Sequence, residues 1–257
     1  MRFPLTRDDA LARLKDFVPL AGRAYAARRN HDGGPDGKAT TSLLSPAIRR
    51  RLVSEAEVAA TAIAAHGFTG AEKFVQEVCW RTYWVGWLQQ RPEIWTRWQA
   101  DVVRMEAMLA EDGKWQRRYE LALSGNTGID CFDTWVHELI ETGWLHNHAR
   151  MWLASYVVHW RRVRWQAGAR WFLQHLLDGD PASNNLSWQW VASCFSSKPY
   201  LFNRDNLERF SSGRYCRVCS AATDGTCDGV SCRPEAEILQ QSSRSIAAQK
   251  ACNDLDD

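Results

Sequence analysis

From Thr6 to Phe17 the apolar residues Ala10, Leu11, Leu14 and Phe17 recur at helical spacing, and Pro19 predicts the stop. Asn30 to Thr40 holds four Gly or Pro and few apolar residues, the composition of a surface loop. Ser54 with Glu57 and Thr69 with Glu72 each match the capping box, in which hydroxyl and carboxylate satisfy orphan backbone N–H groups. A helix is therefore predicted to begin at each. The second carries Phe74, Val75, Val78 and Cys79, runs to about Gln90 and is closed by Pro92.

After Gly128 the apolar positions Phe132, Trp135, Val136, Leu139 and Ile140 repeat at three and four, and Gly143 supplies a C-terminal cap. Leu145 to about Trp160 and Ala167 to Leu177 extend the helical pattern. No run shows the period-two alternation of a half-buried strand, so the predicted class is all-α. Beyond Glu235 Gln, Ser, Ala and Asp replace large apolar residues, which predicts a loosely held end. The expected organisation is a helical domain over 1–212 and a Cys-containing tail over 213–257.

The 257 residues suffice for one body with a small appendage, and 45% hydrophobic with 24% charged residues excludes a disordered or collagen-like chain. Net charge is only +2, so nucleic-acid binding has to come from a local patch. Fourteen Trp are unusual, because such rings line a core or a flat aromatic ligand. Met1 to Leu20 lacks the apolar stretch of a secretory signal, and nowhere do about 18 apolar residues run together. The expectation is a cytoplasmic protein that starts at Met1 and has no membrane contact.

Three stretches concentrate chemistry. Glu77 and Arg81 stand four apart beside Trp80 and Trp84, also four apart, so acid, base and indoles share neighbouring helix faces. A surface ion pair flanking core tryptophans is the plainer account of that segment alone. Asn147, Arg150 and Met151 fall on one side of a second helix, just after Trp144. Asp178 to Trp190 crowds two carboxylates, two amides and two indoles into 13 residues, and Asp180 with Pro181 suits a helix start.

Taken together, Thr41-Ser-Leu-Leu-Ser-Pro46, Trp80-Arg81, Thr127-Gly128, Gly143-Trp-Leu-His-Asn147, Arg150-Met151 and Asp178-Gly-Asp through Trp190 resemble the FAD-binding domain of the photolyase/cryptochrome family. The resemblance covers roughly Leu5 to Phe210, without the family's N-terminal antenna-binding domain. It implies a helical flavin domain in which Tyr25, Thr41, Ser42, Leu44 and Ser45 hold the FAD phosphates, with Leu43 in the same cofactor-binding run but without the charge-assisted phosphate contact of an Arg. Leu43 stands where the family often has Arg, and Phe74 where it often has Trp. By the same resemblance Arg81 and Trp144 contact the cofactor, Arg150 and Asp178 pair near the isoalloxazine, Asp180 meets its polar edge and Asn184 faces flavin N5.

For the lesion pocket the resemblance implies Glu77, Trp80, Asn147, Met151 and Trp190, with Asn184 completing the catalytic set. Two indoles offer flat faces to a flipped thymine dimer, while a protonated Glu77 and Asn147 hydrogen-bond base edges. The implied activity is blue-light-driven splitting of cyclobutane pyrimidine dimers in DNA, best on single strands. The alternative is a cryptochrome-like photoreceptor whose tail meets a protein partner. Electron supply is assigned to Trp188 and Trp165. Asp112 falls at the expected outer position, and Trp115 lies three residues on.

Arg161, Arg162 and Arg164 interleave with aromatics and suit DNA phosphates, and His148 replaces a frequent phosphate-binding Arg. Cys216, Cys219, Cys227 and Cys232 lie within 17 residues. Their spacing leaves zinc, an iron–sulfur cluster and reduced thiols open.

Overall fold

Local signals set most helix ends. In the computed structural model, which describes residues 3–34, 40–196, 198–217 and 219, Thr6 and Asp9 form a reciprocal capping box at the start of α1 (Arg7–Phe17). A 3₁₀ turn (Val18–Leu20) holds Pro19, and α2 (Arg23–Arg28) follows. The short α3 (Ser45–Arg49) leads into α4 (Glu55–Gln89), whose N-terminus is the Ser54/Glu57 capping box that the sequence predicts.

The second predicted cap does not form. α4 continues past Thr69, and its break lies at Gly67, where φ 69° and ψ 165° leave the helical region. That combination is essentially open to Gly alone, so the glycine, not the Thr69 hydroxyl, decides where the second arm begins.

α5 (Pro92–Glu111) and α6 (Gly113–Leu123) form an outer pair that the sequence reading left unassigned. Trp95, Trp98, Val102, Met105 and Leu109 recur at three and four and pack inward, a stripe obscured by the many charges between them. α7 (Asp130–Thr142) ends at Gly143, whose φ of 68° is the left-handed cap expected of it. α8 (Asn147–Ser155) passes into a π-helical turn (Tyr156–Trp160), and α9 (Trp165–His175), α10 (Pro181–Val191) and α11 (Arg204–Ser211) complete the order. Among the described residues there is no strand, and no helix is long and apolar enough to cross a membrane.

Burial divides into two principal cores. The smaller is built from Ala10, Leu14, Phe17, Tyr25, Leu44, Ile48, Val58 and Phe74. The larger gathers α5 to α11 around Phe132, Trp135, Trp152, Tyr156 and Phe172. α10 packs against both α9 and α4, and so ties the arm of α4 beyond Gly67 to the larger core. Tyr215 and Cys219 are buried in that core as well, so the packed body extends past residue 212. The remainder of the expected tail, 220–257, lies outside the described residues.

Candidate functional site

The three chemistry-bearing stretches converge where α4, α8 and α10 meet. Arg81 on α4 bridges to the loop before α10, pairing with Asp178 at 3.1 Å and with Asp180. Both carboxylates are buried, and a buried charge persists only when paired and hydrogen-bonded. Asp180 also caps α10, accepting from the N–H groups of Ala182 and Ser183 and from the Ser183 hydroxyl at 3.0 Å. Arg150 donates Nε–H to the Leu145 carbonyl at 2.8 Å. Burial pulls its pKa down, Asp178 opposes that and Arg81 adds to it. The ion pair expected between Arg150 and Asp178 is thus made by Arg81, with Arg150 in the same field.

Glu77 does not pair with Arg81 either. Its carboxylate accepts from Arg29 at 2.7 Å, so it stands in an ion pair and not as the protonated donor expected from the resemblance. One turn on, Trp80 stacks on Trp84 at 5.3 Å and meets Tyr83 edge-on. Asn147 is exposed at the first turn of α8, its amide 3.6 Å from the Met151 sulfur. Trp190 packs against Tyr200 and leaves one side to solvent. Asn184 is buried, and its Nδ2 donates to the Ala169 carbonyl at 2.7 Å.

In the segment before α3 the backbone reverses at Leu43, a non-glycine residue with φ 58°. Arg13 fixes it by donating to the Ser42 carbonyl at 3.0 Å. The hydroxyls of Thr41 and Ser45 are buried without a hydrogen-bond partner, and buried polar atoms are otherwise nearly always paired. Two donors with no acceptor, beside a backbone turn of the kind that cradles anions, fit phosphate oxygens. Tyr25 and Phe74 lie in the core behind, edge to face at 5.1 Å, and Trp144 is buried nearby in sequence to Asn147.

Trp188 is buried edge-on to Phe172 at 5.0 Å, and Trp165 is buried at the first turn of α9. Asp112 caps α6. Trp115 and Tyr119, one turn apart on α6, line a crevice with Met105, Val163, Arg164 and Ala167. α6 thereby carries Trp115 to the residues that flank Trp165.

His148 is a correction. It is buried, hydrogen-bonded to the Asn30 carbonyl at 2.8 Å and stacked on Trp152 at 4.3 Å, so it is no surface contact for phosphate. Arg164 is exposed and Arg162 half-buried, while Arg161 donates to the Tyr156 hydroxyl. Cys216 is half-buried and Cys219 buried. Cys227 and Cys232 lie outside the described residues, and among those described no group of three metal-ligating side chains occurs. Sequence reasoning missed Arg29, His146 and Asp32. Asp32 is buried and accepts from the Tyr215 hydroxyl at 3.0 Å, a partnership across the chain that no local pattern announces.

A family model described as the FAD binding domain of DNA photolyase matches residues 74–217. A deoxyribodipyrimidine photo-lyase of Streptomyces griseus is 37% identical over 173 residues, which cover 63% of this chain and 35% of that one. A bacterial class III photolyase from Agrobacterium tumefaciens superposes with a TM-score of 0.68 at 24% identity, over 96% of this chain and 56% of its own. A Synechocystis cryptochrome does so with a TM-score of 0.70 at 21% identity, over 95% and 56%. At those identities the two structures show a common fold. The chain spans only about a third of the length of the Streptomyces relative.

Proposed function

From the premise that the chain belongs to the FAD-binding domain family of the DNA photolyases, we propose that it binds FAD and repairs cyclobutane pyrimidine dimers in DNA under blue light, acting best on single strands. One observation carries the reading. Of the 14 tryptophans, all among the described residues, only Trp80 and Trp190 are exposed, and they are the two that the family resemblance assigns to the lesion. Exposed indoles are costly in water unless a flat partner covers them.

When bound, the reduced flavin would supply a light-driven electron to split the two dimer C–C bonds and would take it back afterwards. The chain's own groups bind and orient. Thr41 and Ser45 hydroxyls and the backbone around Leu43 hold phosphates, Arg81 and Arg150 supply positive charge beside Asp178, and Asn184, its Nδ2 fixed on Ala169, offers Oδ1 as an acceptor. Trp80 and Trp190 take the flat faces of a flipped dimer and exclude water from it. Asn147 reads a base edge as donor and acceptor, and Glu77, held by Arg29, accepts from a base N–H. Trp188, Trp165 and Trp115 relay electrons toward the flavin. Arg161, Arg162 and Arg164 meet the phosphate backbone, so affinity should fall as salt rises.

The test is irradiation of dimer-containing oligothymidylate with the FAD-loaded, reduced protein. Recovery of the thymine absorbance band is expected. No recovery with fully loaded protein overturns the reading.

A further inference from the structure

His146 sits between the segment that precedes α3 and the first turn of α8. It is buried, and it caps α8 with its side chain, because the His148 N–H donates to its Nδ1 at 3.2 Å. Its Nε2 lies 3.3 Å from the Thr40 hydroxyl. That hydroxyl's single proton goes to the His31 carbonyl at 2.8 Å. With Nδ1 accepting and Thr40 donating elsewhere, the ring proton is on Nε2 and points at Thr40.

One imidazole therefore joins Thr40, next to the phosphate segment, to the first turn of α8, where Asn147 follows it. The charged and titratable groups around it are Asp32, His148 and Arg150. Burial, reinforced by His148 and Arg150 and opposed by Asp32, pushes its pKa down to about 4. It is neutral at working pH, the form in which Nδ1 can accept and Nε2 donate.

We propose that His146 is a positioning residue that couples the phosphate segment to the lesion face, so that seating the cofactor and seating the dimer favour one another. The proposal rests on the reading of Thr41–Ser45 as the phosphate seat and of Asn147 as a lesion contact. The coupling is reciprocal. A dimer held by Asn147 should tighten FAD binding by the same factor as FAD strengthens the dimer complex.

The experiment follows FAD release from the full-length loaded protein by flavin fluorescence, with and without saturating dimer-containing oligothymidylate. In the unsubstituted protein the oligonucleotide should slow release by about fivefold or more. Thr40→Val removes one end of the bridge. His146→Asn keeps an amide that caps well but is too short to reach Thr40. Each should bring the ratio of the two rates close to one, the double variant should do no more than either, and Thr40→Ser should keep the ratio. A merely structural role would speed release equally with and without DNA and leave the ratio unchanged. Variants that retain the full ratio, or an unsubstituted protein that binds both ligands with no effect of one on the other, overturn the coupling. Failure of the unsubstituted protein to hold FAD or the dimer overturns instead the site reading beneath it.

Discussion

Arg29 reaches across 48 positions of sequence to hold the Glu77 carboxylate at 2.7 Å. Side-chain exposures of 29% and 33% leave the pair open to solvent screening, so its contribution to stability is small. Its effect is on aim. α4 alone would let Glu77 swing along the helix surface, and the guanidinium fixes it beside Trp80.

Glu77→Ala is expected to lower dimer repair about 10- to 100-fold, the value of a hydrogen bond to a charged group, with melting temperature nearly unchanged. Arg29→Met should cost less, because the carboxylate remains though its aim is lost. Repair assays on oligothymidylate check both. A pure photoreceptor would be indifferent to Glu77→Ala in its light response.

Arg81→Ala leaves Asp178 and Asp180 buried without their shared cation. Breaking such a set costs about 3–5 kcal/mol, and under the proposed function the same change weakens flavin binding. Urea unfolding should show the loss, and FAD retained through gel filtration should drop with it. Arg81→Lys should restore charge but not the two-pronged geometry, and recover only part.

Gly168 is the point where α9 lets Trp188 in. A Cβ built there would lie 2.3 Å from the indole ring. Alanine is about 1 kcal/mol better than glycine inside a helix, yet overpacking costs about 1–3 kcal/mol. Gly168→Ala should therefore give a net loss in urea unfolding. Because the ring has to shift, photoreduction of the bound flavin should also slow.

His146, His148 and His159 are all held below the ordinary histidine value, chiefly by burial, His146 to about 4. The unfolded chain takes up protons that the folded one refuses, so the stability these residues confer is complete above about pH 6.5 and lost as pH falls toward 4. Unfolding measured at pH 7, 6 and 5 should show that decline. His146→Asn should flatten it by the share of one group, about 2 kcal/mol between pH 7 and 5.

Much of this was legible because it is local. The Ser54 and Asp180 caps, the Gly143 stop and the helical spacing after Gly128 are each decided within a turn or two of chain. Thr69 failed for an instructive reason: its box pattern is genuine, but Gly67 had already permitted the break and the helix had restarted. The site's composition was readable from the grouped motifs, its pairing was not. Glu77 and Arg81 have the spacing of partners, yet each pairs elsewhere in the chain, Glu77 with Arg29 and Arg81 with Asp178 and Asp180. His148 showed the same limit, since whether a histidine faces water or Trp152 depends on α8's rotation in the packed body.

The division of burial into two cores has a bearing on synthesis. Every member of the smaller core falls between Ala10 and Phe74, so all its apolar partners leave the ribosome before the first residue of α5. Chains fold from the N-terminal side as they emerge, and that cluster can close while the pairing of Arg81 with Asp178 and Asp180 still lies unmade. Asp178 and Asp180 then arrive some hundred positions after Arg81. The Thr41–Ser45 segment is thus made with the first core while the carboxylates that complete the site follow much later, and a ribosome stalled before Asp178 would release a core with its site unfinished.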